Sequence, residues 1–135
     1  MIVADTNLIA HLLLAGPTTE AARAVHRRDS MWAAPPLWRS EVRNLLATRI
    51  RARLASLGDA LAVLAAAEEL IDGRDCSVPS QRVLELSAGS KCTAYDCEFV
   101  AVAELLDVAL VTTDKEILRA FPDRAVTPRR FAEAE

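Results

Sequence analysis

Ile2-Val3-Ala4-Asp5-Thr6-Asn7 sets a short apolar run against a carboxylate and two more helix-starting side chains. Such a run, stopped by an acid, reads as a buried strand that ends at a loop. Leu8 to Leu14 then reads as a helix closed by Gly16-Pro17. Working outward, the same alternation recurs. A helix is expected over Thr19–Arg28, a strand over Met31–Ala34 before Pro35-Pro36, and a helix over Leu37–Leu54 with apolar residues at 42, 45, 46, 50 and 54. Ser56–Ile71 reads as an alanine-rich helix closed by Asp72-Gly73. Cys76–Val78 is a candidate strand, and Pro79 leads a helix to Ala88 capped by Gly89. Thr93 opens a helix to Leu106, Val108–Thr112 is a β-branched core strand, and Lys115–Phe121 is a short helix stopped by Pro122. Arg124–Thr127 is a last strand before a helical tail. Strands that alternate with helices imply right-handed crossovers, so the fold class is α/β, with a mainly parallel central sheet covered by helices on both faces.

At 135 residues the chain is expected to be a single domain, 1–135. A net charge of −3, with 26% charged and 52% hydrophobic residues, excludes wholesale disorder. The aromatics are few (Trp32, Trp38, Tyr95, Phe99, Phe121 and Phe131), which argues for an aliphatic core and against an aromatic stacking sheet for single-stranded RNA. The longest apolar run, Ala60 to Ala67, cannot span a bilayer, and the opening residues lack a basic segment before an apolar one. A cytoplasmic protein without membrane attachment is the expectation. Cys76, Cys92 and Cys97 make neither a disulfide framework nor a zinc set with His11 and His26, and read as small buried hydrophobes. Gly16, Gly58, Gly73 and Gly89 form no phosphate-cradling loop, and neither histidine has a nucleophile elbow to serve.

Charge is unevenly spread. Residues 1–56 carry eight arginines against Asp5, Glu20, Asp29 and Glu41, a net of +4, and the rest of the chain is acidic. One face could therefore meet phosphates while another repels them.

In an open parallel sheet, ligands sit beyond the carboxyl ends of the strands. Asp5 follows the first strand and Asp114 stands just past Thr112 at the end of a later one. Asp96 lies in the first turn of the Thr93 helix, and Glu41 in the first turns of the Leu37 helix. If both helix starts face the crevice, four carboxylates meet there. Asp5, Asp114 and Asp96 each have a plainer account as helix caps. Glu41 has no basic partner at positions 37, 38, 44 or 45. Clustered carboxylates resist joint ionisation without a counter-charge, and an all-oxygen set selects Mg²⁺ or Mn²⁺ over zinc. Such a site suits phosphoryl transfer.

The segments Ile2–Asn7, Leu37-Trp38-Arg39-Ser40-Glu41-Val42, Thr93-Ala94-Tyr95-Asp96 with Val100–Ala103 behind it, and Leu110-Val111-Thr112-Thr113-Asp114 resemble the motifs of PIN-domain nucleases. In length and order the chain is similar to the VapC toxins of bacterial toxin–antitoxin pairs. The resemblance implies a PIN-like α/β/α sandwich with a sheet of four or five strands. It implies a metal-dependent endoribonuclease whose acidic quartet is Asp5, Glu41, Asp96 and Asp114, with Mg²⁺ (Mn²⁺ substituting) held by Asp5, Asp96 and Asp114, and products bearing a 5′-phosphate and a 3′-hydroxyl. Thr112 matches the family's hydroxyl near the site, and Asn7 either bonds within it or only starts a helix. The implied partners are an RNA substrate and a cognate VapB-like antitoxin, in a homodimer or a toxin–antitoxin hetero-oligomer.

Arg39 and Arg43, four apart beside Glu41, are expected to grip substrate phosphates, with Arg49, Arg51 and Arg53 extending the track. The plain alternative is a solvated face. A haloacid-dehalogenase-type phosphatase would want an acid at Asn7, and a receiver-like domain would want paired acids near Asp5. The rivals that remain are a PIN nuclease of RNA processing and a non-catalytic RNA- or protein-binding module on the same scaffold.

Overall fold

The computed structural model describes residues 1–134. Four strands, β1 (Ile2–Ala4), β2 (Trp32–Ala33), β3 (Leu110–Val111) and β4 (Ala125–Val126), form one sheet in the order β2-β1-β3-β4. All neighbours run parallel, with Val3 registered on Ala33 and on Leu110, and Val111 on Val126. Side chains alternate between faces along a strand, yet Ile2, Val3 and Ala4 are all buried, so both faces of β1 are covered. This is the expected α/β/α arrangement.

The helices are α1 (Thr6–Leu13), α2 (Thr19–Arg28), α3 (Leu37–Arg51), α4 (Leu57–Ile71), α5 (Ser80–Ala88), α6 (Ala94–Leu106), α7 (Lys115–Ala120) and α8 (Pro128–Glu133). α1 packs on β1, α2, α3 and α4, whereas α6 packs on α5, β1 and β3. The core is aliphatic as composition required, with Trp32 and Trp38 its largest fully buried side chains. Trp32 Nε1 donates to the Asp29 carbonyl at 2.8 Å. Burial of Cys92 and Cys97 among these residues pushes the Cys97 thiol up to about 11, consistent with inert packing groups.

Two expectations need correction, and a third holds for a different reason. Cys76–Val78 is not a strand: the only pairing there is an isolated bridge between Ala34 and Asp75, extended by Cys76 N–H donating to the Ala34 carbonyl at 2.9 Å. Pro79, without an N–H, follows at once, and the sheet stays at four strands. The Leu37 helix stops at Arg51, not Leu54, because Arg53 turns left-handed (φ 59°) and lets Leu54 N–H cap the Arg49 carbonyl at 2.9 Å. Gly89 does end α5, yet its φ of −89° is right-handed. The reason for glycine there is space, since a Cβ would lie 3.3 Å from the Glu85 carbonyl oxygen.

Candidate active site

The strand order puts β1 and β3 side by side at the centre of the sheet, so Asp5 and Asp114 leave adjacent carboxyl ends. A cleft of about 430 Å³ opens there, lined by Asp5, Asn7, Glu41, Asn44, Tyr95, Asp96 and Asp114 among others. All four expected acids therefore share one cleft. Among the described residues, no lysine, arginine or histidine lines it.

Each acid is held by its own local chemistry. Asp5 Oδ1 caps α1 by accepting from Leu8 N–H at 2.8 Å, and Asp114 Oδ1 caps α7 by accepting from Ile117 N–H at 2.9 Å. Asp96 forms a capping box with Thr93, whose hydroxyl accepts from Asp96 N–H at 3.0 Å. Capping and site membership coincide: a cap uses one carboxylate oxygen and aims the side chain past the helix start, where the cleft lies. Thr112, fully buried, donates its hydroxyl to Asp5 Oδ2 and accepts from Asp114 N–H at 3.0 Å, tying the two strand-end acids together. Thr6 Oγ1 donates to Glu41 Oε1 at 2.7 Å, fixing the acid of α3 to the start of α1.

Asp5 is 7% exposed, and its pKa is raised from 3.8 to about 6. Burial is the largest cause. The bonds from Thr112 and Leu8 oppose it, and the charges of Asp114 and Glu41 push the same way as burial. Behind the cleft, Glu98 is also raised, by burial and then by Glu41.

Such a concentration of negative charge, with oxygen donors only, fits a hard divalent cation. Asp5, Asp96 and Asp114, with Glu41, are the residues that would hold it. Among the described residues no three potential ligands are already gathered closely enough to ligate one ion.

Arg39 and Arg43 are not where the sequence suggested. Arg39 Nε and Nη2 donate to Glu68 Oε1 and Oε2 on α4 at 2.5 and 2.9 Å, and its guanidinium stacks 4.9 Å over Trp38. Asp75 adds a longer contact at 3.5 Å. Neither Arg39 nor Arg43 lines the cleft. Four apart, they share a face of α3; Glu68 of α4 claims Arg39, while Arg43 stays exposed. Arg39→Ala is expected to cost about 1 kcal/mol in urea denaturation, since the pair is partly exposed, and to leave RNA affinity unchanged. A fall in RNA affinity without loss of stability would restore the phosphate role.

Sequence reasoning passed over Thr6, Asn44 and Tyr95. Asn44 stands three after Glu41 on a helix, a spacing that puts both on one face. Tyr95 is 63% exposed at the cleft, in a chain poor in aromatics, and its place before Asp96 was the available signal.

The PIN domain profile matches residues 2–122. The chain belongs to the PIN domain family. Among solved structures, this PIN domain superposes on FitAcB from Neisseria gonorrhoeae with a TM-score of 0.72 at 19% identity, covering 96% of this chain and 99% of that one. It superposes on PAE2754 from Pyrobaculum aerophilum with a TM-score of 0.68 at 22% identity, covering 97% and 92%. These likenesses concern the fold. No curated protein matches. PIN domains are generally nucleases, so membership supports a hydrolase built on a nuclease fold. Among the described residues, no helix of this PIN domain is long and apolar enough to cross a membrane.

Proposed function

We propose that the protein is a Mg²⁺- or Mn²⁺-dependent endoribonuclease acting as the toxin of a toxin–antitoxin pair, with Asp5, Glu41, Asp96 and Asp114 as its acidic quartet. The observation that carries the reading is the meeting of the buried Asp5 carboxyl, its pKa raised chiefly by burial, with Glu41, Asp96 and Asp114 in one cleft that no basic side chain lines among the described residues. A carboxyl group kept at that cost, with no cation from the chain to relieve it, is built for an external one.

A bound divalent cation would supply Lewis acidity and counter-charge for attack of water on the phosphodiester. The chain supplies orientation. Thr112 fixes the rotamer of Asp5 by its hydroxyl and the start of the Asp114 turn by accepting its N–H. Thr6 leaves Glu41 Oε2 available to receive a proton from the incoming water. Asn44 and Asn7, with amides in the cleft, offer neutral donors to a phosphate or ribose without adding charge. Water oxygen bonds to phosphorus as the P–O3′ bond breaks, and the departing O3′ takes a proton from solvent water, leaving a 5′-phosphate and a 3′-hydroxyl.

The partner follows from the same electrostatics. An arginine fork from an antitoxin would match the carboxylates and take the place of the cation, while its apolar residues fill a groove between helices. Induced expression is expected to arrest growth, with relief on coexpression of a neighbouring small gene, and purified protein to cut single-stranded RNA only when Mg²⁺ or Mn²⁺ is present. Cleavage without arrest would instead assign an RNA-processing nuclease. Full cleavage in excess chelator would overturn the metal-dependent reading.

A further inference from the structure

A second depression of about 440 Å³ adjoins the acidic cleft, lined by Asn7, Ala10, His11, Leu45, Thr48 and Arg49 along with the end of α1. It shares Asn7 and Leu45 with that cleft, so the two form one continuous surface between α1 and α3. Asn7 and His11 are one turn apart on α1, and Leu45 and Arg49 one turn apart on α3. Both helices begin at the cleft, so the depression leads away from it.

Its chemistry is the opposite of the cleft's. Among the described residues no acid lines it, and its one full charge is Arg49. Arg27, Arg39, Arg74, Arg82, Arg119, Arg124 and Arg129 are spent on carboxylates. Arg49 is different. Among the described residues its guanidinium makes no ion pair, which is also true of six other arginines, and of these Arg49 alone has its Nε buried without a hydrogen-bond partner. An unsatisfied donor on a charged group is costly, and Arg49 as a whole is only half-buried and lines the groove, so the rest of its guanidinium is what an acceptor from outside can reach. The helix end holds it there, because Leu54 N–H caps the Arg49 carbonyl through the left-handed turn at Arg53.

We propose that this groove seats the RNA strand flanking the scissile bond, with Arg49 holding a backbone phosphate. The assignment rests on the ribonuclease reading of the neighbouring cleft. Along α3, Glu41 and Arg49 are separated by about 12 Å. That reach places the held phosphate a step or two along the backbone from the bond that is cut. His11, lowered in pKa by burial, is a neutral ring at neutral pH and adds a surface for a base without a second charge. An anionic substrate repelled by the free carboxylates thereby gains a cationic hold beside them. The hold lies on α3 but not on the face where Arg39 and Arg43 stand.

The test compares Arg49→Ala, Arg49→Lys and Arg23→Ala, the last an exposed arginine outside the groove, on a labelled single-stranded RNA. Arg49→Ala is expected to raise KM about tenfold with kcat within about twofold, and to flatten the salt slope of binding by about 0.7, the share of one phosphate contact on a single strand. Arg49→Lys should recover part of the affinity, and Arg23→Ala should match wild type. Equal behaviour of Arg49→Ala and Arg23→Ala overturns the proposal, as does a loss confined to kcat. Unchanged RNA binding with lost binding of a polyglutamate probe also overturns it and makes the groove a dock for an acidic peptide. Binding is read separately in an Asp5→Asn background, so that RNA affinity dependent on Arg49 survives even if wild type proves unable to cut RNA, and the two readings fail independently.

Discussion

Asp5→Asn is expected to lower RNA turnover by at least about a thousandfold, about 4 kcal/mol of barrier, while making the cation-free protein more stable. The amide keeps the shape of the side chain and its acceptance from Leu8 N–H, but removes the charge that draws a cation. The stability effect has the opposite sign. The folded protein holds the Asp5 proton up to about pH 6, whereas the unfolded chain releases it near 3.8, so stability falls as pH rises through that window. At neutral pH the whole penalty is present, on the order of 3 kcal/mol at most. Asparagine removes it and loses part of the bond to Thr112, for a net gain of about 1–2 kcal/mol, or a rise of several degrees in Tm. Thermal unfolding in chelator at pH 7, set beside a turnover assay with Mn²⁺, reads both. An active variant, or one that melts below wild type, would contradict the account.

Thr112→Val should act through pH. The threonine hydroxyl holds Asp5 down against burial, so valine raises the Asp5 pKa above its present value of about 6. Protons then compete with a cation for that carboxylate well into the neutral range. Activity is expected to fall about a hundredfold near pH 6.5 and to recover partly by about pH 8, so that the acid limb of the kcat/KM profile moves to higher pH. The variant also strands Asp114 N–H, at about 1–3 kcal/mol of stability. Thr112→Ser, which keeps the hydroxyl, should restore the limb. A pH-independent loss in both variants would mean that Thr112 serves packing alone.

What the sequence made legible was whatever local chemistry determines. β1 could be read because Ile2-Val3-Ala4 is apolar on both faces and stops at an acid, and α6 because Thr93 and Asp96 make a capping box. Asp5 and Asp114 were singled out because each follows a strand, and Asp96 because it opens a helix; the caps that seemed a plainer account of them turn out to lie at the same end of the sheet as the cleft. Long-range choices were hidden. Whether Cys76–Val78 pairs with β2 depends on Pro79 and on the room beside Ala34, and nothing in the segment itself states it. Arg39 and Arg43 sit four apart, as a phosphate grip would, but Glu68 lies a helix away and claims Arg39 first. The Thr6–Glu41 bond links residues 35 apart in sequence, and the end of α3 turns on a left-handed arginine where a glycine would have marked it.

Mn²⁺ titration followed by electron paramagnetic resonance, on wild type and on Asp5→Asn, Glu41→Gln, Asp96→Asn and Asp114→Asn, asks most directly whether the four acids make one cation site. The account predicts saturable binding by wild type at neutral pH, at least about tenfold weaker binding in each of the three aspartate variants, and a smaller loss in Glu41→Gln. Wild-type affinity retained in Asp96→Asn and Asp114→Asn would contradict it, leaving those two carboxylates as helix caps and nothing more.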